Sequence, residues 1–262
     1  MFEVDAVTEI LREAAEAAIL PRFRSLAEDE VSEKGPGDLV TVADREAEEL
    51  IGARLRGVVA APVVGEEAVS ADPGLLRALN EEETAWLVDP VDGTRNFVNG
   101  DTRFGVMAAL VHRGETVASW ILRPTEERVY IAERGSGTWR DGVRIRRGPA
   151  PAAPARMRGL VLTTALPAGA RRRAEEAFAS VGPGAHCSAV DYPHLFEGEL
   201  DFIVFGQTCP WDHAPGTLML AEAGGTSLRP DGDGYRPGDA TVGLLNAADG
   251  ECWKTARSLL FG

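Results

Sequence analysis

Hydrophobic side chains near the start of the chain recur with helical spacing. Six small or apolar residues between Val4 and Ala18 fall on one face of a helix, and four acidic residues lie among the positions between them. This pattern predicts an amphipathic helix that packs on a core. A second helix is predicted to end near residue 55, and Thr41 and Asp44 have the three-residue spacing of a helix-capping pair.

Short apolar runs separated by turn signals follow in the middle of the chain. Two brief runs, at residues 62–64 and 86–88, each stop directly before acidic residues. Four further strand-like runs occupy residues 105–111, 116–122, 128–133 and 137–140. The turns between these four contain Gly or Pro, which is typical of an antiparallel meander.

The segment at residues 148–154 is the best candidate boundary, because its three prolines interrupt both helices and strands. We therefore expect an N-terminal half, residues 1–147, that carries most of the candidate chemistry, and a C-terminal half, residues 148–262. Beyond the boundary the pattern alternates: strands at 160–164, 201–205 and 241–245, and helices at 168–181, 191–197, 214–223 and 249–260. The prediction is an α/β (α+β) protein with an antiparallel-rich first half and a parallel or mixed second half, its sheets lying between helix layers.

Composition narrows the possible partners. With 262 residues, 44% of them hydrophobic and 26% charged, the chain is an ordinary globular protein. Its formal charge of −14 argues against direct binding to nucleic acid or to an anionic membrane, which both require excess Lys and Arg. We find no signal-peptide pattern, no apolar run of the ~20 residues that a membrane span needs, and three scattered cysteines, so we expect a reduced, cytoplasmic protein.

Residues 86–97, with the sequence WLVDPVDGTRNF, are the most informative segment. They predict a turn, begun by Pro90, that holds Asp89 and Asp92 three residues apart after a strand and before a helix that starts at Thr94. Carboxylate oxygens bind hard divalent cations, and the first N–H groups of a helix attract anions. The same letters also make an ordinary turn, so the segment alone leaves both interpretations open.

Acidic residues follow two other segments in a similar way. Glu66 and Glu67 come after one short strand, and Asp212 follows Trp211 where a helix is expected to begin. Each has a simpler explanation, since charged pairs usually face water and both Asp44 and Asp212 could merely cap helices. Acids gathered at one place raise one another's pKa unless a cation compensates, so the whole set favours a metal site.

The order of these motifs resembles that of the inositol monophosphatase family of magnesium-dependent, lithium-sensitive phosphatases. The matching positions are Lys34, Asp38-Leu39-Val40-Thr41, Asp44, Glu66-Glu67, Asp89-Pro90-Val91-Asp92-Gly93-Thr94, Trp211-Asp212 and residues 221–225. The resemblance implies a layered α/β/α/β/α sandwich, and it implies a phosphoric monoester hydrolase that forms a homodimer.

The resemblance also implies roles for individual residues. A first Mg²⁺ would be bound by Glu66, Asp89 and the Val91 carbonyl, a second by Asp89, Asp92 and Asp212, and a weaker third near Asp44. Glu66 and the Thr94 hydroxyl, polarised by Asp44, would orient the attacking water, and Glu67 would position metal-bound water. The substrate site would comprise Glu66, Val91, Asp92, Gly93, Thr94 and Asp212, with the N–H groups of Gly93 and Thr94 on the phosphate.

The second half departs from the family pattern where the leaving alcohol should bind. Phe205 stands where inositol-hydrolysing members have a Glu, and residues 187–191 are one residue short of the family's substrate-bordering segment. Phe205, Gln207 and Asp191 are therefore candidates for a different pocket, although Phe205 also suits a plain core position. Arg95 could reach a second phosphate or simply face solvent. The four histidines show no metal-ligand spacing and are assigned no chemistry.

The expected function is Mg²⁺-dependent hydrolysis of a small phosphorylated alcohol of the inositol 1-phosphate type. The loss of the Glu makes histidinol phosphate the runner-up, with other sugar or nucleotide phosphates behind it. An alternative from another class is a protein-binding role in RNA-processing or transcription complexes, which the acidic surface permits.

Overall fold

Helices and strands alternate along most of the computed structural model, which describes residues 4–163, 166–239 and 242–262. The helices are α1 (Val4–Ala14), α2 (Val42–Val58), α3 (Glu66–Ala71), α4 (Ala78–Glu81), α5 (Thr94–Val98), α6 (Ala170–Ala177), α7 (Ser188–Phe196), α8 (Pro210–Ala223) and α9 (Gly250–Phe261). The strands are β1 (Val31–Gly35), β2 (Asp38–Thr41), β3 (Val63–Gly65), β4 (Thr84–Asp92), β5 (Gly105–His112), β6 (Glu115–Arg123), β7 (Arg128–Glu133), β8 (Gly137–Arg140), β9 (Val143–Ile145), β10 (Arg158–Leu162), β11 (Ser180–Gly182), β12 (Phe202–Gln207), β13 (Thr226–Leu228) and β14 (Val242–Ala247).

A seven-stranded sheet in the order β3-β4-β5-β6-β7-β8-β9 contains the predicted meander. Only the β3–β4 pair within it is parallel, and the remaining pairs are antiparallel. A separate hairpin of β1 and β2 leads into α2. The antiparallel-rich first half is thus confirmed.

A five-stranded sheet in the order β11-β10-β12-β14-β13 lies in the second half. Strands β11, β10 and β12 run parallel to one another, whereas β14 and β13 are antiparallel additions. This is the mixed sheet that the alternating pattern predicted.

The two sheets and the helices form five layers, which confirms the α/β/α/β/α sandwich. One core cluster joins α1 and α2 to the seven-stranded sheet, with Trp86 and Trp120 buried at its centre. A second cluster places α7 and α8 between the two sheets, and a third packs α6 and α9 on the outer face of the five-stranded sheet. Because α8 packs against the seven-stranded sheet, the second half supplies side chains to the edge where β3 and β4 end.

The predicted domain division at residue 147 stays a prediction. The larger sheet ends at Ile145 and the smaller begins at Arg158, on either side of that boundary. Among the described residues, no helix is long and apolar enough to cross a membrane.

Several predicted boundaries of helices and strands were wrong. The helix expected at 168–181 covers only α6, because the β-branched Val181 and its neighbours pair with β10 as β11. The helix expected from 214 begins at Pro210, a residue whose missing N–H suits a first helical turn. The predicted strands 160–164 and 241–245 include Thr164 and Thr241, which lie outside the described residues.

Candidate active site

A cavity of about 520 Å³ opens where β3 and β4 end. Five acidic side chains and one lysine line it: Asp38, Glu66, Asp89, Asp92, Asp212 and Lys34. Val91, Gly93 and Thr94 complete the part formed by the β4–α5 segment. The structure therefore brings nearly all of the sequence-predicted site residues together, and we call this space the acidic cavity.

The parallel pairing of β3 with β4 places the first two acids side by side. Gly65 is opposite Val88 in the register, so Glu66 and Asp89 are the next residues at the same sheet edge. Carboxyl ends of neighbouring parallel strands meet in this way in many α/β sites. Glu66 remains partly exposed to the cavity, whereas Asp89 is only 2% exposed.

Asp89 to Asp92 is part of β4, which corrects the prediction of a separate turn after the strand. Asp89 pairs with Met107 and Asp92 with Gly105, so β4 carries one more residue than β5 at this point. Such a bulge tolerates Pro90, which has no N–H to donate. The Val91 N–H is satisfied by Oδ1 of Asp89 at 3.1 Å. The bulge, rather than a turn, holds the two aspartates toward the cavity.

Gly93 ends the bulge and begins α5. Its φ of +85° is in the left-handed region, and a Cβ there would lie 3.0 Å from the Arg103 carbonyl oxygen and 3.1 Å from Cβ of Cys187. Glycine is therefore required at this position both by conformation and by close approach. Gly93 and Thr94 both line the acidic cavity.

Asp92 is held from the second half of the chain. Its Oδ2 accepts hydrogen bonds from the Ala189 N–H and, at 3.1 Å, from Sγ of Cys187. Burial raises the pKa of Asp92 to about 7, and these two hydrogen bonds act in the opposite direction. The sequence did not reveal this contact, although residues 187–191 stood out as bordering the substrate.

Asp212 comes from the first turn of α8, and Cys209 is the residue that precedes the helix. Asp212 is therefore not the helix cap that the simpler interpretation proposed. Its carboxyl group and that of Asp89 interact within the acidic cavity, which both residues line. Burial raises the pKa of both well above the ordinary range, and repulsion from Glu66 and Asp92 raises it further.

Lys34 supplies the positive charge in this cavity. Its Nζ lies 2.6 Å from Oε1 of Glu66 and 2.9 Å from Oε1 of Glu67. Burial would lower the pKa of Lys34, but attraction to Glu66 and hydrogen bonds to both glutamates raise it. The pKa of Glu67 is raised to about 7 by burial. The sequence had placed Lys34 in the matching N-terminal block without a role.

Glu48 on α2 supports the glutamates from behind, and sequence reasoning missed it. Its two carboxylate oxygens accept the N–H groups of Glu67 and Ala68, each at 2.8 Å, and so cap α3. A Cβ on Gly65 would lie 2.3 Å from the Glu48 carboxyl carbon, so Gly65 is needed for this approach. No sequence signal links a mid-helix Glu to an acid pair about twenty residues away.

Asp44 both caps a helix and reaches the site. Its Oδ2 accepts from the Thr41 N–H at 2.9 Å, in the capping box that the sequence predicted. Its Oδ1 accepts from the Thr94 hydroxyl at 3.1 Å. Burial raises the pKa of Asp44 to about 6, although the hydrogen bonds from Thr41 lower it. The two interpretations of Asp44 are therefore compatible.

The donor set fits magnesium in its chemistry, because carboxylate and carbonyl oxygens are the ligands of hard cations. Among the described residues, however, no three His, Cys, Asp or Glu side chains converge as ligands of one ion. Two of the acids have other partners: Glu66 accepts from Lys34, and Asp92 accepts from Ala189 and Cys187. Binding of an ion would exchange these partners and relieve the repulsion that raises the acids' pKa values.

A second cavity, of about 650 Å³, adjoins the acidic cavity. Phe205 and Gln207 line it, as predicted for a pocket of the leaving alcohol. Phe205 is also a core residue, 7% exposed, whose ring stacks on Tyr192 at 5.4 Å. Asp191 does not line this cavity, contrary to expectation, since it is buried and its Oδ1 accepts the Ala185 N–H at 2.9 Å.

Two further sequence questions are answered by direct contacts. Arg95 neither lines the acidic cavity nor merely faces solvent, because its Nη2 donates to the Gly37 carbonyl. His213 is buried next to Asp212, with Nε2 at 3.1 Å from the Gln207 carbonyl oxygen and Nδ1 at 3.1 Å from the Tyr192 hydroxyl. Burial lowers the pKa of His213 to about 4, so the ring is neutral near pH 7.

Comparison with known proteins bears on this geometry. A family model described as the inositol monophosphatase family matches residues 3–259. An inositol-1-monophosphatase of Rhizobium meliloti is 31% identical over 239 residues, covering 83% of this chain and 84% of that protein. Nus factor SuhB of Vibrio cholerae is 29% identical over 205 residues, covering 74% and 73%.

A solved structure shows the same fold. It is a crystal structure of an IMPase/NADP phosphatase complexed with Mg²⁺ and phosphate, with a TM-score of 0.82. The two chains are 18% identical, and the alignment covers 97% of this chain and 93% of the other. At this identity the likeness shows the fold alone.

Proposed function

Because this chain belongs to the inositol monophosphatase family and is a phosphoric monoester hydrolase, we propose that it cleaves a small phosphorylated alcohol of the inositol 1-phosphate type. The observation that carries the proposal is the acidic cavity, in which β3, β4 and α8 gather Glu66, Asp89, Asp92 and Asp212 beside Thr94. A chain with a formal charge of −14 needs such a cation site to bind a phosphate.

We propose Mg²⁺ as the cofactor. One ion would be held by Glu66, Asp89 and the Val91 carbonyl, a second by Asp89, Asp92 and Asp212, and a third near Asp44. When bound, magnesium supplies the positive charge that lowers the pKa of water and stabilises the oxygens of the phosphate. The ion bound to Glu66 would compete with Lys34 for that carboxylate.

Residues of the chain orient the attacking water and hold the phosphate. Glu66 orients the attacking water together with the Thr94 hydroxyl, and the N–H groups of Gly93 and Thr94 hold the phosphate. The single proton of the Thr94 hydroxyl can go to Asp44 at 3.1 Å or to the Val91 carbonyl at 3.0 Å. When it goes to Asp44, the Val91 carbonyl is released for a cation. Glu67 would position metal-bound water, and Glu48 holds the start of α3, the helix that carries both Glu66 and Glu67.

The leaving alcohol would extend into the second cavity, because Gln207 and Asp212 line both spaces. Phe205 cannot accept hydrogen bonds from ring hydroxyls, so strict specificity for inositol is not expected. Histidinol phosphate and other sugar or nucleotide phosphates are the competing substrates within the same chemistry. We further propose that the protein forms a homodimer and works in a reduced, cytoplasmic compartment. Sedimentation of the purified protein tests the homodimer.

The test is phosphate release from a panel of inositol, sugar, nucleotide and amino-alcohol phosphates, with and without Mg²⁺. We expect Mg²⁺-dependent release from at least one of them. No release from any substrate, or equal release after removal of Mg²⁺ with a chelator, would contradict the proposal.

A second function is suggested by the relative named Nus factor SuhB, which is similar over about three quarters of this chain. We propose that the surface of the protein also binds components of a transcription or RNA-processing complex, through protein contacts that its acidic charge permits. A pull-down that recovers such proteins equally with wild type and Asp212→Asn would support this role. Recovery of none of them by either protein would contradict it.

A further inference from the structure

The second cavity continues the acidic cavity toward the outer end of the five-stranded sheet. Gln207 and Asp212 line both spaces, and the second is the larger, at about 650 Å³ against about 520 Å³. If the proposed function holds, a phosphate bound in the acidic cavity directs the rest of its substrate past these two residues. The side chains beyond them then select the leaving group.

The two cavities differ in charge. Five carboxylates and one lysine line the acidic cavity. Among the described residues, the second cavity has one arginine, Arg171, and one carboxylate, Asp212, which it shares with the acidic cavity. His186 and the neutral His213 also line it. In a chain with a net charge of −14, a cavity without an excess of carboxylates is a local exception.

Arg171 is fixed at the mouth of this cavity. It lies in the first turn of α6, and its Nη2 donates to the carbonyls of Val161 and Thr163 at 3.1 and 3.3 Å. Within the described ranges it forms no ion pair with a carboxylate, whereas the neighbouring Arg172 pairs with Glu176 at 2.8 Å. A guanidinium held by carbonyls keeps its full charge, and its planar fork suits carboxylates and phosphates.

His186 lines the cavity from the loop that precedes α7. Its φ of +55° is in the left-handed region, which is uncommon for a residue other than glycine. The loop is held in place by the Asn96 side chain, which donates to the Ala185 carbonyl at 2.8 Å. His186 is exposed, so its ring is accessible from the cavity.

Two of the remaining side chains offer no free hydrogen-bonding atom. Phe205 has none in its side chain, and both ring nitrogens of His213 are already used, one on the Gln207 carbonyl and one on the Tyr192 hydroxyl. Thr163, Ser188 and Gln207 also line the cavity. A cationic leaving group would meet the guanidinium of Arg171, and Asp212, the one carboxylate of this cavity among the described residues, is a proposed metal ligand.

We infer that the second cavity binds a leaving group that carries an anion of its own, a carboxylate or a second phosphate, through Arg171 and His186. This inference rests on the proposed function and specifies its substrate class. It argues against histidinol phosphate, whose leaving group, histidinol, is an alcohol that carries an ammonium group.

Matched substrates test the inference with the full-length protein and Mg²⁺. 3-Phosphoglycerate and glycerol 3-phosphate differ by one carboxylate, and fructose 1,6-bisphosphate and fructose 6-phosphate differ by one phosphate. Inositol 1-phosphate provides a substrate with a neutral leaving group, and histidinol phosphate provides one with a cationic leaving group. We expect the anionic member of at least one pair to have the higher kcat/KM, and the pair that shows it identifies the anion.

Matched variants assign the effect to Arg171. Loss of a charge-assisted contact typically costs about 10- to 100-fold in affinity, so Arg171→Gln should raise KM by that factor for anionic leaving groups only. Arg172→Gln, exposed on the same helix, should leave every substrate unchanged. His186→Asn, which tolerates the left-handed conformation, should give a smaller rise of the same kind.

The outcomes separate the inference from the proposed function. Efficient hydrolysis of the neutral or cationic substrates, or equal KM values for Arg171→Gln and Arg172→Gln on every substrate, overturns the inference and leaves the phosphatase intact. Absence of Mg²⁺-dependent phosphate release from all six compounds and from the wider panel removes the proposed function, and the inference falls with it.

Discussion

The Thr94 hydroxyl lies 3.1 Å from Oδ1 of Asp44, a residue fifty positions earlier in the chain. Asp44 is fully buried, and its other oxygen is held by Thr41 at the start of α2. The carboxylate therefore cannot move with the hydroxyl. It fixes Thr94 at the end of β4, where the N–H groups proposed to hold the phosphate begin.

We expect Thr94→Ala to lower kcat by about 10²- to 10⁴-fold, the range for removal of a positioned proton-transfer group, with KM nearly unchanged. Thr94→Ser keeps the hydroxyl and should retain most of the activity. Steady-state phosphate release with the substrate found by the panel measures both. A wild-type kcat in Thr94→Ala would show that the hydroxyl has no part in the reaction.

Magnesium should stabilise the folded protein, because the acids of the cavity raise one another's pKa when no cation is near. At a Mg²⁺ concentration one hundred times its Kd, the expected gain is about 2.7 kcal/mol. Thermal unfolding with MgCl₂, against choline chloride at the same ionic strength, measures the gain. The shift should be much smaller in Asp212→Asn; an equal shift in both proteins would mean that Mg²⁺ binds elsewhere.

Removal of Glu48 should weaken metal binding without touching a proposed ligand. Glu48 caps α3 through the N–H groups of Glu67 and Ala68, and loss of a residue that orients ligands typically costs ~10–100-fold in metal affinity. We expect Glu48→Ala to raise the Mg²⁺ concentration for half-maximal activity by about this factor. Glu49→Ala, exposed on the same helix, is the control. If both variants behave alike, the cap has no role in the site.

Asp191 should make stability depend on pH. Burial raises its pKa to about 6, Arg103 and the Ala185 N–H lower it, and Asp92 faces it as a further acid. Because its pKa is higher in the folded protein than in the unfolded chain, Asp191 favours folding in its protonated form. This contribution to stability is fully present below about pH 4 and is lost as the pH rises through 6. The ionised carboxylate then costs ~3 kcal/mol at pH 8.

Asp191→Asn removes this pH dependence. Relative to wild type, its free energy of unfolding should rise by roughly 2–3 kcal/mol between pH 4 and pH 8, as measured by urea denaturation. Any constant cost of the amide cancels in this comparison. Asp29→Asn, an exposed position, should show no such change. A difference that stays flat with pH would contradict burial as the cause.

Periodic patterns predicted the fold well, because local turn residues and apolar runs specify the strands of the meander and the alternating strands and helices of the second half. The same patterns missed β11 and the true start of α8, where pairing with β10 and a first-turn Pro210 override helix periodicity. The pairing of β11 with β10 is a tertiary effect that a local window does not contain, whereas Pro210 is a local signal outside the apolar periodicity.

The site divides in the same way. Motif spacing identified Glu66, Asp89, Asp92 and Asp212, and the structure gathers them in one cavity. Motif spacing did not identify Glu48, Arg171 or the contact of Ala189 with Asp92. These residues are not adjacent in sequence to the groups they approach, and only the folded chain brings them together. Asp191 was a candidate for the pocket because residues 187–191 resemble the family's substrate-bordering segment, whereas its side chain accepts the Ala185 N–H.

Phosphate release by this protein should depend on both Mg²⁺ and the acidic cavity. A Mg²⁺ titration of phosphate release by wild type, Asp89→Asn and the exposed control Asp29→Asn, each checked by thermal unfolding, measures this dependence. We expect wild type and Asp29→Asn to release phosphate only with Mg²⁺, and folded Asp89→Asn to be at least ~10³-fold slower, a loss of about 4 kcal/mol of transition-state stabilisation. Release at the wild-type rate by folded Asp89→Asn, or release by wild type that does not respond to Mg²⁺, would show that the acidic cavity is not the site of a Mg²⁺-dependent reaction.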